Sequence, residues 1–344
     1  MNIVVLAGGY SPERDVSLTS GSLIANALIR RGHRVLLLDP YLGTTLPADP
    51  TALFQTTPYP THSVKTAEPD LAALRETADQ GDALVGKNVA ALCRSADVVY
   101  NALHGDAGED GRLQGYLDCL GIRYTGTGAL GAMLSMDKDI AKKLLTAAGI
   151  PTPKGIVFDP NDEGAYQRIL SEIGLPCVIK PCYCGSSVGV SIVENDKQLR
   201  DAIALGAKYE QRLLAEVRIV GRELTVGYLQ GVTLPPMEII PKEGFYDYKN
   251  KYQAGLTEEL CPAPLTEAEC AYVTELTARS FAALQLNCYA RFDYILDAAG
   301  VAYCLEANAL PGMTPTSLLP QMAAHAALCY EDLCEYIVQL ALQK

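Results

Sequence analysis

The sequence predicts a mixed α/β protein in three parts, of which the first is built on a parallel sheet. Three stretches carry the prediction. Strand Asn2–Leu6, a Gly8-Gly9 turn, a helical repeat and a second strand over 35–39 make a β-α-β opening, and a crossover through a helix leaves its two strands parallel. Residues 177–181 and 190–194 read as two short strands around a Gly/Ser-rich turn. Residues 290–297 and 301–308 read as a β-hairpin across Gly300. With 344 residues, the chain has room for two or three domains.

In the opening unit, Val16, Leu23, Ile24, Ala27 and Leu28 recur at helical spacing, and Gly32 supplies the stop. The Gly8-Gly9 turn lacks the G-x-G-x-x-G spacing of a dinucleotide loop, so an oxidoreductase reading fails there. Glu13, just before the helix, stands where a carboxylate can cap it. Residues 41–96, with prolines at 47, 50, 58, 60 and 69, read as a variable insertion of loops with a short helix or hairpin. A strand over 97–103 then ends in His104-Gly-Asp-Ala-Gly-Glu-Asp-Gly111. That loop lies at the carboxyl end of a parallel strand, where open α/β sheets bind ligands.

Residues 126–131 lead into one helix carrying Lys138, Lys142 and Lys143. The next strand ends at Lys180, a point charge suited to phosphate. The turn Gly185-Ser186-Ser187-Val188-Gly189 has the form of a hairpin lid whose N–H groups fold over phosphates. It is not a Walker loop, since no helix and no Gly-Lys-Ser/Thr follow. Strands over 213–219 and 224–229 place Glu216 and Glu223 either against an adenine and ribose or in solvent. The stretch 245–252 has the polar, aromatic and basic mix of a substrate-closing loop. Thr266-Glu-Ala-Glu269 opens an amphipathic helix running to 286 with a capping-box pattern, and a helix over 330–343 closes the chain.

Composition sets outer limits. The chain is 49% hydrophobic and 20% charged, ordinary for a soluble globular protein. No run approaches the roughly 20 apolar residues that span a bilayer. The start, Met1-Asn-Ile-Val-Val-Leu-Ala-Gly, lacks the basic region of a signal peptide, so a cytoplasmic location is expected. Eleven scattered cysteines, with Cys182 and Cys184 the nearest pair, suit reduced thiols. A net charge of −12 argues against nucleic-acid and anionic-membrane partners, which need a basic footprint.

The hairpin is the most specific of these stretches. Alternation puts Arg291, Asp293 and Ile295 on one face of its first strand and Cys304, Glu306 and Asn308 on one face of its second. With Ala299-Gly300 as a two-residue turn, Asp293 lies opposite Glu306 and Arg291 opposite Asn308. Facing carboxylates repel. Either water screens them on an open face, or a divalent cation lies between them, and for all-oxygen ligands the natural ion is Mg²⁺.

Taken in order, these motifs resemble the ATP-grasp superfamily and, within it, the D-alanine–D-alanine ligases. The matching stretches are Gly8-Gly9-x-Ser-x-Glu-Arg, His104-Gly-x-x-Gly-Glu-Asp-Gly, Ser135-Met-Asp-Lys138, Ile179-Lys-Pro, Gly185-Ser-Ser-Val-Gly, Tyr246-Asp-Tyr-x-x-Lys-Tyr252, Arg291-Phe-Asp and Glu306-Ala-Asn-x-x-Pro-Gly-Met-Thr. They span nearly the whole chain except 41–96. The resemblance implies an ATP-grasp fold of three domains: an N-terminal domain over 1–125, a central lid domain over 126–214 and a C-terminal domain over 215–344. It implies that ATP phosphorylates the carboxylate of one D-alanine and that the amine of a second displaces the phosphate. Lys138, Lys180 and the loop Gly185, Ser187, Val188 and Gly189 then serve the ATP phosphates. Glu216, Ile219 and Glu223 serve adenine and ribose. Asp293, Glu306 and Asn308 hold two Mg²⁺ ions, or Mn²⁺. Arg291 and the Gly312 N–H stabilise the tetrahedral intermediate. Glu13 takes the first D-alanine's ammonium beside His104, and Ser186 and Tyr252 tie the substrate loop to Glu13. Lys251, Ser317 and Leu318 hold the second substrate's carboxylate and the transferred phosphate. A homodimer is the implied assembly. Val217 and Arg218 depart from the lysine and aromatic common there in the family. A D-alanyl-D-serine ligase and a non-catalytic ATP-binding protein on this fold are the alternatives.

Overall fold

The computed structural model describes residues 1–64, 69–78, 81–185, 187–242 and 256–344. Its first sheet is parallel, in the order β2-β1-β3, from Asn2–Leu6 (β1), Arg34–Leu38 (β2) and Val98–Asn101 (β3). Ile3, Val4, Val5 and Leu6 are all fully buried, as expected of a parallel strand covered on both faces. The crossover helix Arg14–Arg30 (α1) stops at Gly32, whose φ of +86° suits glycine. Within 41–96 lie a 3-10 turn at Pro50–Leu53 and the helices Leu71–Ala78 (α2) and Val89–Arg94 (α3). This stretch is more than an appendage, because Phe54, Val89, Leu92 and Cys93 pack under β1 and β2. Arg112–Cys119 (α4) follows the glycine-rich loop.

The single helix expected after residue 131 is two helices, Ala129–Met136 (α5) and Lys138–Ala147 (α6). Asp137 breaks them. It adopts extended backbone, and its carboxylate accepts from the N–H groups of Asp139 and Ile140 at 3.0 and 3.1 Å. An N-cap of this kind starts a new helix rather than continuing an old one.

The second sheet is antiparallel, in the order β4-β7-β5-β6: Gly155–Phe158 (β4), Leu213–Val217 (β7), Cys177–Pro181 (β5) and Ser191–Val193 (β6). Helices Ala165–Glu172 (α7) and Asp196–Gly206 (α8) cover one face with Ile169, Leu199 and Ala202. β7 crosses residue 214 without interruption, so a division of the chain at 214/215 would cut a strand.

The third sheet runs β11-β10-β8-β12-β13, with β9 added to β8: Gly221–Leu229 (β8), Val232–Thr233 (β9), Met237–Pro241 (β10), Thr257–Leu260 (β11), Tyr289–Asp297 (β12) and Ala302–Asn308 (β13). Helix Glu267–Ala283 (α9) begins with a complete capping box between Thr266 and Glu269. Helices Leu318–His325 (α10) and Tyr330–Leu342 (α11) close the chain. α11 does not stay with the third sheet alone. Its Leu333, Ile337 and Val338 share a core with Ile3, Ile24, Leu28 and Val98.

The hairpin pairs Asp293 with Glu306 and Arg291 with Asn308, as expected, but by a different route. The turn is not the two-residue Ala299-Gly300. Gly300 N–H donates to the Asp297 carbonyl and Asp297 N–H to the Val301 carbonyl, which closes a loop of 298–300 with Gly300 at φ +80°. Beside it, Tyr294 pairs with Cys304, and the register shifts between Asp293 and Tyr294. The extra residue, Leu305, is a bulge that restores the Asp293–Glu306 pairing. One consequence corrects the expected face: Cys304 turns inward beside Tyr294, 1% exposed, while Leu305 faces the cleft described next.

Candidate active site

Between the second and third sheets lies a cleft of about 530 Å³. One wall is a row across the second sheet, where Glu216 of β7 pairs with Val178 of β5 and Val178 with Ile192 of β6. Ile239, Ile295 and Leu305 of the third sheet stand opposite. Ile219, Glu223, Ser187 and Lys138 also line it. Apolar walls with a few charged groups at one end suit a planar base with a phosphate tail.

The charged end carries Lys138, Lys180, Glu216 and Glu306, with Lys142 paired to Glu216 outside the lining. Lys180 Nζ lies 2.6 Å from Glu216 Oε2, and Lys142 Nζ lies 2.5 Å from Glu216 Oε1. Burial alone would raise the Glu216 pKa, but the two ammoniums outweigh it and leave the carboxyl below its ordinary value. Burial pulls Lys180 down, and Glu216 more than offsets that; for Lys142 burial wins. Lys138 Nζ donates to the Cys184 carbonyl at 2.6 Å and lies 3.9 Å from Glu306 Oε2. Its own N–H donates to the Cys182 carbonyl, so the helix start at Asp137 is what docks Lys138 on the loop. In that loop Val188 N–H donates to the Gly185 carbonyl, and Gly189 has φ +71° with Pro181 2.8 Å from where a Cβ would be. Burial pushes the Cys182 thiol up to about 12 and raises Cys184 as well, so neither favours the reactive thiolate.

A second cavity of about 470 Å³ collects residues from far apart in the sequence: Glu13, His104, Gly185, Arg291, Asn308, Gly312, Ser317 and Leu318. Glu13 is the residue before α1, yet its side chain makes no cap bond. It packs instead against Gly105, where a Cβ would come within 2.8 Å of Oε2. His104 is 6% exposed, with Nδ1 3.5 Å from Glu109 Oε1 and Nε2 3.5 Å from Ser20 Oγ. Ser17 Oγ accepts from Gly8 N–H and donates to the Ala102 carbonyl, which ties the two glycine loops to α1. Gly312 sits so close to Ser317 that a Cβ would meet its Oγ at 2.9 Å. Ser317 and Leu318 form the start of α10, where the first-turn N–H groups and the helix dipole favour a carboxylate or phosphate, the Ser317 N–H itself donating to the Thr314 carbonyl.

The two cavities meet at the hairpin. Asp293 lines the first cavity and Arg291, two residues along the same strand face, lines the second. Arg291 Nε donates to Asp293 Oδ1 at 3.0 Å and Nη2 to Oδ2 at 2.9 Å. Thr225 Oγ1 and Asn308 Nδ2 also donate to Asp293, at 2.7 and 3.0 Å. No group of three or more His, Cys, Asp or Glu side chains gathers for a metal among the described residues; the set here is two carboxylates and an amide. Ser186, Lys251 and Tyr252 lie outside the described residues.

With this geometry in place, comparison with known proteins is direct. The family described as D-ala D-ala ligase N-terminus matches residues 2–127, and D-ala D-ala ligase C-terminus matches residues 144–339. The chain belongs to the D-alanine–D-alanine ligase family. Among relatives, a D-alanine–D-alanine ligase of Pediococcus pentosaceus is 38% identical across 98% of this chain and 97% of its own. One of Moorella thermoacetica is 36% identical across the full length of both. Among solved structures, the ATP complex of the Bacillus anthracis D-alanine–D-alanine ligase superposes with a TM-score of 0.75 at 29% identity, covering 100% of this chain and 97% of that one. The VanG D-Ala:D-Ser ligase of Enterococcus faecalis gives 0.78 at 26% identity over 99% of each.

Membership in the ligase family makes the chain an ATP-dependent ligase on the ATP-grasp fold. Sequence reasoning placed Lys138, Lys180, Glu216 and Asp293 in the same neighbourhood, but four residues of the site escaped it. Thr225 and Ser17 are ordinary members of a strand and a helix, and nothing local marks them. Lys142 stands on a helix face that only folding turns toward Glu216. Glu109 lies in the His104 loop, whose density of charge was the one available signal.

Proposed function

We propose that this chain joins two D-alanines in an ATP-dependent reaction through an acyl phosphate, giving D-alanyl-D-alanine, ADP and phosphate for peptidoglycan synthesis in the cytoplasm. The observation that carries it is the Arg291–Asp293 contact, which brings the end of a nucleotide cleft to the wall of an amino-acid cavity. A carboxylate held in the second cavity can meet a γ-phosphate held in the first at that junction.

Each step then has residues of this chain to perform it. Lys138 and Lys180 anchor the phosphates, and the loop through Gly185, Ser187, Val188 and Gly189 covers them. Adenine lies between Val178 and Ile192 on one side and Ile239 and Ile295 on the other, with Ile219 and Glu223 at its edge. Glu13 holds the ammonium of the first D-alanine beside His104. A carboxylate oxygen of that D-alanine attacks the γ-phosphorus, the bond to ADP breaks, and an acyl phosphate forms. The second D-alanine is held by its carboxylate at Ser317 and the Leu318 N–H. Its deprotonated amine attacks the acyl carbon. Arg291 and the Gly312 N–H receive the charge developing on the carbonyl oxygen, and collapse of the tetrahedral species expels phosphate. Ser186 and Tyr252 link the substrate loop to Glu13, and Lys251 takes the transferred phosphate.

Asp293, Glu306 and the Asn308 amide suit Mg²⁺, with Mn²⁺ as a substitute. The donor set is all oxygen, and two cationic side chains, Arg291 and Lys138, already stand against its negative charge. When bound, the ions supply neutralisation and alignment of the phosphate oxygens. The three sheets support a three-part division, with the second boundary just after Val217, at the end of β7. The chain is expected to work as a homodimer. Phosphate release with D-alanine alone, D-alanine plus D-serine, and D-alanine plus D-lactate tests the assignment. Release with D-alanine alone is expected; release only when D-serine is added would replace the dipeptide assignment, and release with none would sink the ligase.

A further inference from the structure

Glu216 is 2% exposed and still carries two ammonium partners, Lys180 at 2.6 Å and Lys142 at 2.5 Å. The two lysines have different positions. Lys180 lines the nucleotide cleft together with Glu216, and Lys142 is not among the lining residues. Lys142 reaches Glu216 from α6 and is pinned by a second bond to the Pro153 carbonyl. Glu216 therefore stands between a lysine that faces the ligand and one that does not.

Phosphate binding by Lys180 requires that lysine to share or leave its bond to Glu216. If Lys180 were the only counterion, its departure would strand a buried carboxylate, and an uncompensated buried charge is far costlier than the pair it came from. We propose that Lys142 is a positioning residue for nucleotide binding: it neutralises Glu216 from behind the cleft wall and so releases Lys180 to the phosphates. The proposal rests on Lys180 serving phosphate, and the two can fail separately.

Steady-state kinetics with Mg²⁺-ATP and D-alanine on the full chain test it. Lys142→Met is expected to raise KM for ATP about tenfold, because Lys180 is then held by an otherwise unpaired carboxylate. KM for D-alanine stays within about twofold, whereas general loss of structure would move both constants. Lys142→Arg restores the ATP constant. In a Glu216→Gln background, adding Lys142→Met leaves KM for ATP within about twofold, since a neutral amide no longer holds Lys180 and any direct part of Glu216 in nucleotide binding is common to both variants. An unchanged KM for ATP in Lys142→Met overturns the proposal, as does a tenfold rise when Lys142→Met is added to Glu216→Gln. Should Lys142→Met fail to fold, Glu216→Gln and the double variant decide it: their ATP constants should agree within about twofold, and a tenfold gap overturns the proposal. Lys180→Met separates the premise. If it leaves KM for ATP unchanged, Lys180 does not serve phosphate and the role of Lys142 falls with it. If it raises KM while Lys142→Met does not, only the role of Lys142 fails.

Discussion

Arg291 grips Asp293 through both sides of its guanidinium, Nε to Oδ1 at 3.0 Å and Nη2 to Oδ2 at 2.9 Å. The group proposed for the attacked carbonyl and the group proposed for the metal are thus one bidentate unit, and neither can be altered without disturbing the other. Arg291→Ala is expected to lower kcat by about 10²–10³, the scale of losing one oxyanion donor. Asp293→Asn chiefly raises the Mg²⁺-ATP requirement. Because the residues touch, the double variant should fall well short of the sum of the single effects, as kinetics of all three will show. Additive losses would mean that the contact has no part in catalysis.

Gly312 is fixed by contact rather than by an unusual φ. A Cβ there would meet Ser317 Oγ at 2.9 Å, and Ser317 is already bonded to the Thr314 N–H and hydroxyl at 3.1 and 2.8 Å. Gly312→Ala is expected to cut kcat/KM for D-alanine about tenfold or more, while Tm moves by no more than about 2 °C. A large fall in Tm with kcat/KM intact would reverse the assignment, making the glycine structural.

Away from the site, the Thr266–Glu269 capping box gives a control. Thr266→Ala removes the acceptor for the Glu269 N–H and is expected to cost about 1 kcal/mol, measured by denaturant unfolding. Both substrate constants should remain at wild-type values, because α9 contributes no residue to either cavity.

A pH effect is expected where the last helix docks on the first. Glu335 of α11 meets His33 after α1 at 2.6 Å. Burial would raise the Glu335 pKa, but bonds from Gln339 and His33 outweigh it and hold the carboxyl below 4.5. A depressed folded pKa contributes stability that is present above the unfolded value and lost as pH falls through the folded one. Glu335→Gln should therefore lower Tm near neutral pH by about 1–2 °C, with the gap from wild type closing below about pH 4. A gap that widened on acidification would contradict this sign.

The sequence by itself determined most of the elements and the order of the motifs. Alternation put Arg291 and Asp293 on one face of β12, glycine placed the ends of α1 and of the hairpin, and Thr266-x-x-Glu269 marked a helix start. These are local signals, written within a few residues of where they act. Tertiary structure decided everything that depends on two distant segments meeting. It put the Leu305 bulge into the hairpin, turned Cys304 into the core and docked α11 on the first sheet. It also gave Glu216, which the residues alone left between adenine and solvent, two lysine partners from α6 and β5. No pattern along the chain encodes such a meeting, because burial and ion pairing select partners by distance in space, and those distances exist only after the sheets have packed.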